Sequence, residues 1–145
     1  MLLISACLAG IPCRYDGGAN TVPALAALAA RGEAVPVCPE VLGGLPTPRI
    51  PSERLADGRV VNAAGEDVTG AFRLGAEKAL ALCRAHGCER AVLKARSPSC
   101  GKGCIYDGTF THTRGPGSGV FAALLEQEGI QVLTEEEYKE NSDGE

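Results

Sequence analysis

The sequence predicts an α/β fold: a mostly parallel sheet of about four strands covered by helices on both faces, a three-layer sandwich formed as a single domain over residues 1–145. Short apolar runs alternate with longer segments of helical periodicity, and the long Pro/Gly-rich stretches fall between them. That alternation is the signature of βαβ units with right-handed crossovers. At 145 residues the chain suits one core that buries roughly two-thirds of its unfolded surface.

Leu2 to Ala6 reads as the first buried strand, followed by a small, flexible segment from Gly10 to Asn20. Thr21 is placed to cap a helix that has Pro23 in its first turn and closes at Gly32. Ala34 to Val37 is the second strand, ending at Cys38. From Pro39 to Ser52 four prolines and the Gly43-Gly44 pair predict a long loop, since they break both helices and central strands. Arg59 to Asn62, with a turn at Gly65, reads as a small β-excursion. Val68, Phe72, Gly75, Ala76, Ala79, Leu80 and Cys83 recur at helical steps and Gly87 stops them, which is the strongest helix signal in the chain. Ala91 to Lys94 is the third strand. A glycine-rich stretch then leads to Ser118, the expected cap of a helix from Val120 to Glu128, before a fourth strand from Ile130 to Leu133. Thr134 and Glu137 have capping-box spacing and open a short polar helix that frays from Asn141 to Glu145.

The net charge of −4 gives no footprint for a long nucleic-acid backbone. Six aromatics and no Trp argue against a stacking platform for single strands, so a small substrate is favoured. No apolar stretch approaches the roughly 20 residues that span a bilayer, and the first residues lack a basic leader, so the expected location is the cytoplasm. In that reducing compartment seven cysteines are poorly explained by disulfides, and metal binding or catalysis gains weight.

Cys7, Cys38 and Cys100 each stand where an apolar run gives way to turn residues. If the runs are parallel strands, their carboxyl ends share one rim, where ligands bind in open α/β sheets. Three well-separated thiolates do not resemble a structural zinc site, which takes four ligands and often paired ones. An iron–sulfur cluster with one iron left open fits them better. Cys13 and Cys104 are reserve ligands, whereas Cys83 on the helix stripe and Cys88 read as packing residues. Glu40, two residues after Cys38, is the candidate for proton transfer, and Ser97 and Ser99 are placed to orient a water or a carbonyl. Gly115 to Ser118 and Gly119 open a helix, where free amides bind anions; Gly117, Ser118 and Gly119 are therefore candidate substrate contacts, with Arg49 and Arg14 as possible helpers. Neither His86 nor His112 is assigned to the site.

Ser5-Ala6-Cys7-Leu8, Arg14-Tyr15-Asp16-Gly17-Gly18, Cys38-Pro39-Glu40 with Gly43-Gly44-Leu45-Pro46-Thr47-Pro48-Arg49, and Ser97-Pro98-Ser99-Cys100-Gly101 with Ile105-Tyr106-Asp107-Gly108-Thr109-Phe110 together resemble the DUF523 family, which includes the thiouracil desulfidases. The resemblance runs over nearly the whole chain. It implies a Rossmann-like domain with a [4Fe-4S] cluster on Cys7, Cys38 and Cys100, a catalytic glutamate at Glu40, and a catalytic serine within Ser97-Pro98-Ser99, Ser97 being the first choice. The activity so implied is non-redox removal of sulfur from a thiolated pyrimidine, thiouracil or 4-thiouridine monophosphate, as free base or nucleotide. A cluster-dependent hydro-lyase and a non-catalytic cluster or zinc protein, acting as sensor or sulfur carrier, are the alternatives.

Overall fold

A computed structural model describes residues 1–138. Strands β1 (Leu2–Ser5), β2 (Ala34–Val37), β5 (Arg90–Leu93) and β8 (Gln131–Thr134) form one parallel sheet in the order β2-β1-β5-β8. The two-residue repeat of each strand sorts its apolar side chains to opposite faces. Leu3, Ala91, Leu93 and Val132 pack with helices α3 (Thr69–Ala85) and α4 (Val120–Gln127), while Ile4, Val92 and Leu133 pack on the face of α1 (Pro23–Ala30). The predicted three-layer α/β arrangement is therefore present. Pro36 lies in β2, an edge strand with one paired side, which is where a sheet tolerates a residue without an N–H. Among the described residues no helix is long and apolar enough to cross a membrane.

The third-strand and fourth-strand expectations are each offset by one residue, a normal uncertainty at element ends. The α3 stripe is as predicted: Phe72, Gly75, Ala76, Ala79, Leu80 and Cys83 are its buried residues. The Thr134–Glu137 capping box is also formed, the Thr134 N–H donating to Glu137 Oε1 at 3.0 Å and the Glu137 N–H to Thr134 Oγ1 at 3.2 Å. The expected fraying from Asn141 to Glu145 lies outside the described residues.

Other expectations need correction. Val22, and not Thr21, caps α1, because its carbonyl accepts the first helical N–H groups, from Leu25 and Ala26. The stretch after Cys38 is not all loop. Pro39–Leu42 form a short helix, α2, with proline at the first helical position, where its missing N–H costs nothing. Two antiparallel hairpins were not foreseen in full: β3 (Ser52–Arg54) with β4 (Val60–Asn62), and β6 (Cys104–Tyr106) with β7 (Arg114–Pro116). Ser118 does not cap α4. Gly119 holds that position, and the Ser118 hydroxyl instead accepts the Gly103 N–H at 3.0 Å.

Two features direct this scaffold toward a site. The chain leaves β1 toward β2 and leaves β5 toward β8, in opposite directions across the sheet, so the switch point opens between the carboxyl ends of β1 and β5. Helix α2 is then held over that edge by backbone-to-backbone contact with α3. A Cβ on Gly75 would stand 1.7 Å from the Pro39 carbonyl oxygen, and one on Gly43 would stand 2.0 Å from that of Ala71.

Gly75→Ala gains about 1 kcal/mol of helix propensity, but the added methyl has no room against Pro39. Overpacking of this kind costs about 1–3 kcal/mol, so the variant is expected to unfold at a lower urea concentration than the wild type. A midpoint equal to or above the wild-type value would show that α2 can move away freely.

Candidate functional site

The carboxyl ends of β1, β2 and β5 open into a cavity of about 580 Å³ lined by Cys7, Cys13, Cys38 and Cys100, together with Glu40, Arg49, Ser97 and Ser99. Cys7 sits in the 3-10 turn Ala6–Ala9 that follows β1, with its carbonyl accepting the N–H of Gly10 and of Asn20. Cys38 follows β2 and is the N-cap residue of α2. Cys100 lies in a tight turn closed by the Gly101 N–H donating to the Ser97 carbonyl at 2.8 Å. The Ser97 hydroxyl accepts the N–H groups of Ser99 and Cys100, both at 3.1 Å, which fixes that turn from inside.

Four thiols so close oppose each other's ionisation. Burial, then the neighbouring Cys38, pushes the Cys7 thiol up to about 11. Burial pushes Cys100 up to about 12, against hydrogen bonds from Ser5 and Ser99 and with added repulsion from Cys38 and Cys7. Cys38 moves the other way, lowered by the hydrogen bond it receives from Cys13, whose own ionisation that bond disfavours. A cationic centre among them would reverse the penalty and hold the sulfurs as thiolates. Among the described residues, no three His, Cys, Asp or Glu side chains are grouped tightly enough to grip a single ion. A polynuclear core separates its ligands by its own bulk. Soft sulfur donors around a cavity of this size suit an iron–sulfur cluster.

Beside the thiols runs a hydrogen-bonded chain. Glu40 Oε1 accepts from Arg49 Nε at 3.1 Å, and Glu40 Oε2 accepts from the Ser99 hydroxyl at 3.1 Å. Ser99 Oγ is 3.0 Å from Ser97 Oγ and 3.6 Å from Cys100 Sγ. Ser99 is 2% exposed, whereas Ser97 is half-buried, so Ser97 is the front hydroxyl and Ser99 the link to the carboxylate. Arg49 is a brace: its remaining donors go to the carbonyls of Cys13 and Pro46 and to the Thr47 hydroxyl.

The structure separates the sequence candidates. Cys7, Cys38, Cys100, Glu40, Ser97, Ser99, Arg49 and Arg14 meet at the cavity, and Cys13 joins them. Cys104 is elsewhere, in β6 beside a smaller hollow with Lys102 and Glu137, and Cys83 and Cys88 pack in the core. Gly117, Ser118 and Gly119 do not line the cavity. The amides that were to bind an anion are engaged: Gly119, Val120 and Phe121 donate to the carbonyls of Gly101, Pro98 and Ser99, so this helix start docks the Cys100 turn instead. Sequence reasoning missed Asn20, Lys94, Tyr106, Phe110 and His112 on the cavity wall. Asn20 Oδ1 is the one buried side-chain oxygen or nitrogen without a hydrogen-bond partner among the described residues. Only the Tyr106–Phe110 segment carried a signal, as part of the family resemblance.

The model of the 2-thiouracil desulfurase family matches residues 2–137. A solved structure described as a [4Fe-4S]-dependent thiouracil desulfidase, TudS, is similar, with 50% identity, a TM-score of 0.89, and coverage of 96% of this chain and 93% of that one. The uncharacterized protein YbbK of Bacillus subtilis (strain 168) is 43% identical over 146 residues, covering 94% of this chain and 97% of its own length.

Arg49→Met removes the cation from a pair whose side chains are only 7% and 15% exposed. Breaking such a pair from one side costs about 3–5 kcal/mol, read as a lower urea midpoint of the metal-free protein. The double variant Arg49→Met/Glu40→Gln leaves no unpaired charge and is expected to recover most of that loss. Equal midpoints for the single and double variants would refute the brace.

Proposed function

The chain belongs to the 2-thiouracil desulfurase family, and on that footing we propose that Cys7, Cys38 and Cys100 hold a [4Fe-4S] cluster with which the protein hydrolyses a thiolated pyrimidine. The overall change is non-redox: the ring's C=S and one water become C=O and hydrogen sulfide. The observation that supports it most is the convergence, at one rim, of three thiols from three strand ends with a carboxylate hydrogen-bonded to a serine.

When bound, the cluster supplies an iron without a protein ligand, a Lewis acid for the thiocarbonyl sulfur. The chain supplies the proton chemistry. Glu40, oriented by Arg49, takes the proton of the attacking water, received through the Ser97 and Ser99 hydroxyls in series. The amides at the start of α4 are engaged, so any phosphate of a nucleotide substrate falls to the cavity's cations, Arg14, Lys94 and Arg96, in competition with their carboxylate partners Asp16, Glu135 and Glu136.

Anaerobic reconstitution of the wild type is expected to give about four iron and four sulfide per chain and turnover of thiouracil to uracil. Cys100→Ala should lose cluster and turnover together. Glu40→Gln should keep its iron and lose at least about 100-fold in kcat. A fully loaded wild type inert toward 2- and 4-thiouracil and toward 4-thiouridine monophosphate would overturn the reading.

A further inference from the structure

Three non-glycine residues among those described have left-handed backbone, Arg96 (φ 67°), Phe110 (φ 58°) and His112 (φ 58°), and all three line the cavity. His adopts this conformation fairly readily, but a bulky Phe does so only under constraint. The constraint is visible. Glu53 accepts the N–H groups of Gly108 and Phe110 at 2.9 and 3.2 Å, and the Asp107 N–H donates to the Thr113 carbonyl at 3.0 Å. The hydroxyls of Thr109, Thr111 and Thr113 are linked at 2.6 and 2.8 Å, and Thr109 is tied back to Asp107. Gly108, with φ of 94°, is pressed against Leu55, which a Cβ would meet at 2.4 Å. This lobe is over-determined, and its outcome is to set a half-buried Phe ring on the cavity wall.

The distribution of aromatics points the same way. Of three Phe and three Tyr, Phe72 and Phe121 are core residues and Tyr138 packs against the α1-side core. The other three, Tyr15, Tyr106 and Phe110, all line the cavity. Too few for a strand of nucleic acid, they suffice for one planar ring.

Resting on the desulfidase reading, we propose that Phe110 is a substrate-binding, specificity-determining residue that stacks on the face of the thiopyrimidine, and that its left-handed backbone is strain retained for this purpose. Stacking a base on an aromatic ring is worth enough that its loss weakens binding roughly tenfold. Phe110→Tyr keeps a ring in place, Phe110→Leu keeps apolar bulk without one, and Phe110→Gly removes both while relieving the backbone.

The test measures thiouracil turnover by reconstituted wild type and the three variants, with iron content and thermal midpoints alongside. The expected result is iron unchanged throughout, KM near wild type for Phe110→Tyr, KM raised about tenfold for Phe110→Leu and Phe110→Gly with a much smaller change in kcat, and a midpoint for Phe110→Gly equal to or above wild type. Wild-type KM in Phe110→Leu overturns the stacking role, and a midpoint several degrees lower in Phe110→Gly makes the residue structural. A loaded wild type with no turnover counts against the desulfidase reading itself, which separates the two failures.

Discussion

The parallel register of β1 with its two neighbours is the constraint from which the site follows. Ser5 is level with Val37, and Ile4 with Val92, so three chain segments leave the sheet at nearly the same height. Cys7 and Cys38 are thereby brought together from 31 positions apart in sequence, and Cys100 arrives from a turn seven residues beyond the end of β5. A slip of one residue in either pairing would turn every side chain of that strand to the opposite face. Both faces of these strands are close-packed, Leu3, Ala91 and Leu93 on one side and Ile4 and Val92 on the other, so side-chain fit holds the register and with it the sulfur geometry.

Backbone groups do much of the remaining positioning. The start of α4 donates to the carbonyls of Pro98, Ser99 and Gly101, and the glycines at 43 and 75 allow α2 to rest on α3 with no side chain between them. Glu40 therefore stands on a one-turn helix whose placement is settled by backbone contact with α3. Its carboxylate is then clamped between Arg49 and Ser99. Pre-organisation of this kind lowers the reorganisation needed during proton transfer.

What could be read in the sequence was whatever depended on local periodicity. The α3 stripe, the four parallel strands and the Thr134–Glu137 box are short-range patterns with well-defined physical causes, and they appear where expected. The convergence of Cys7, Cys38 and Cys100 followed from one topological rule about strand ends. What was missed depends on pairing at a distance. Ser52–Arg54 becomes a strand only because Val60–Asn62 returns beside it, and Cys104–Tyr106 only because Arg114–Pro116 does. Arg49 looks like a free cation until Glu40 and the Cys13 carbonyl are seen beside it. The amides of 119–121 look vacant until the 98–101 turn is folded against them. Phe110 gives no sign in its own residue type that its backbone is left-handed.

The proline in β2 has a consequence for how this molecule meets its neighbours. Pro36 lacks the donor that an incoming strand would need, and it sits on the open border of the sheet two residues before Cys38. Strand addition from another chain is disfavoured along that border. The flank of the sheet beside the sulfur cavity is thus guarded against intermolecular zippering.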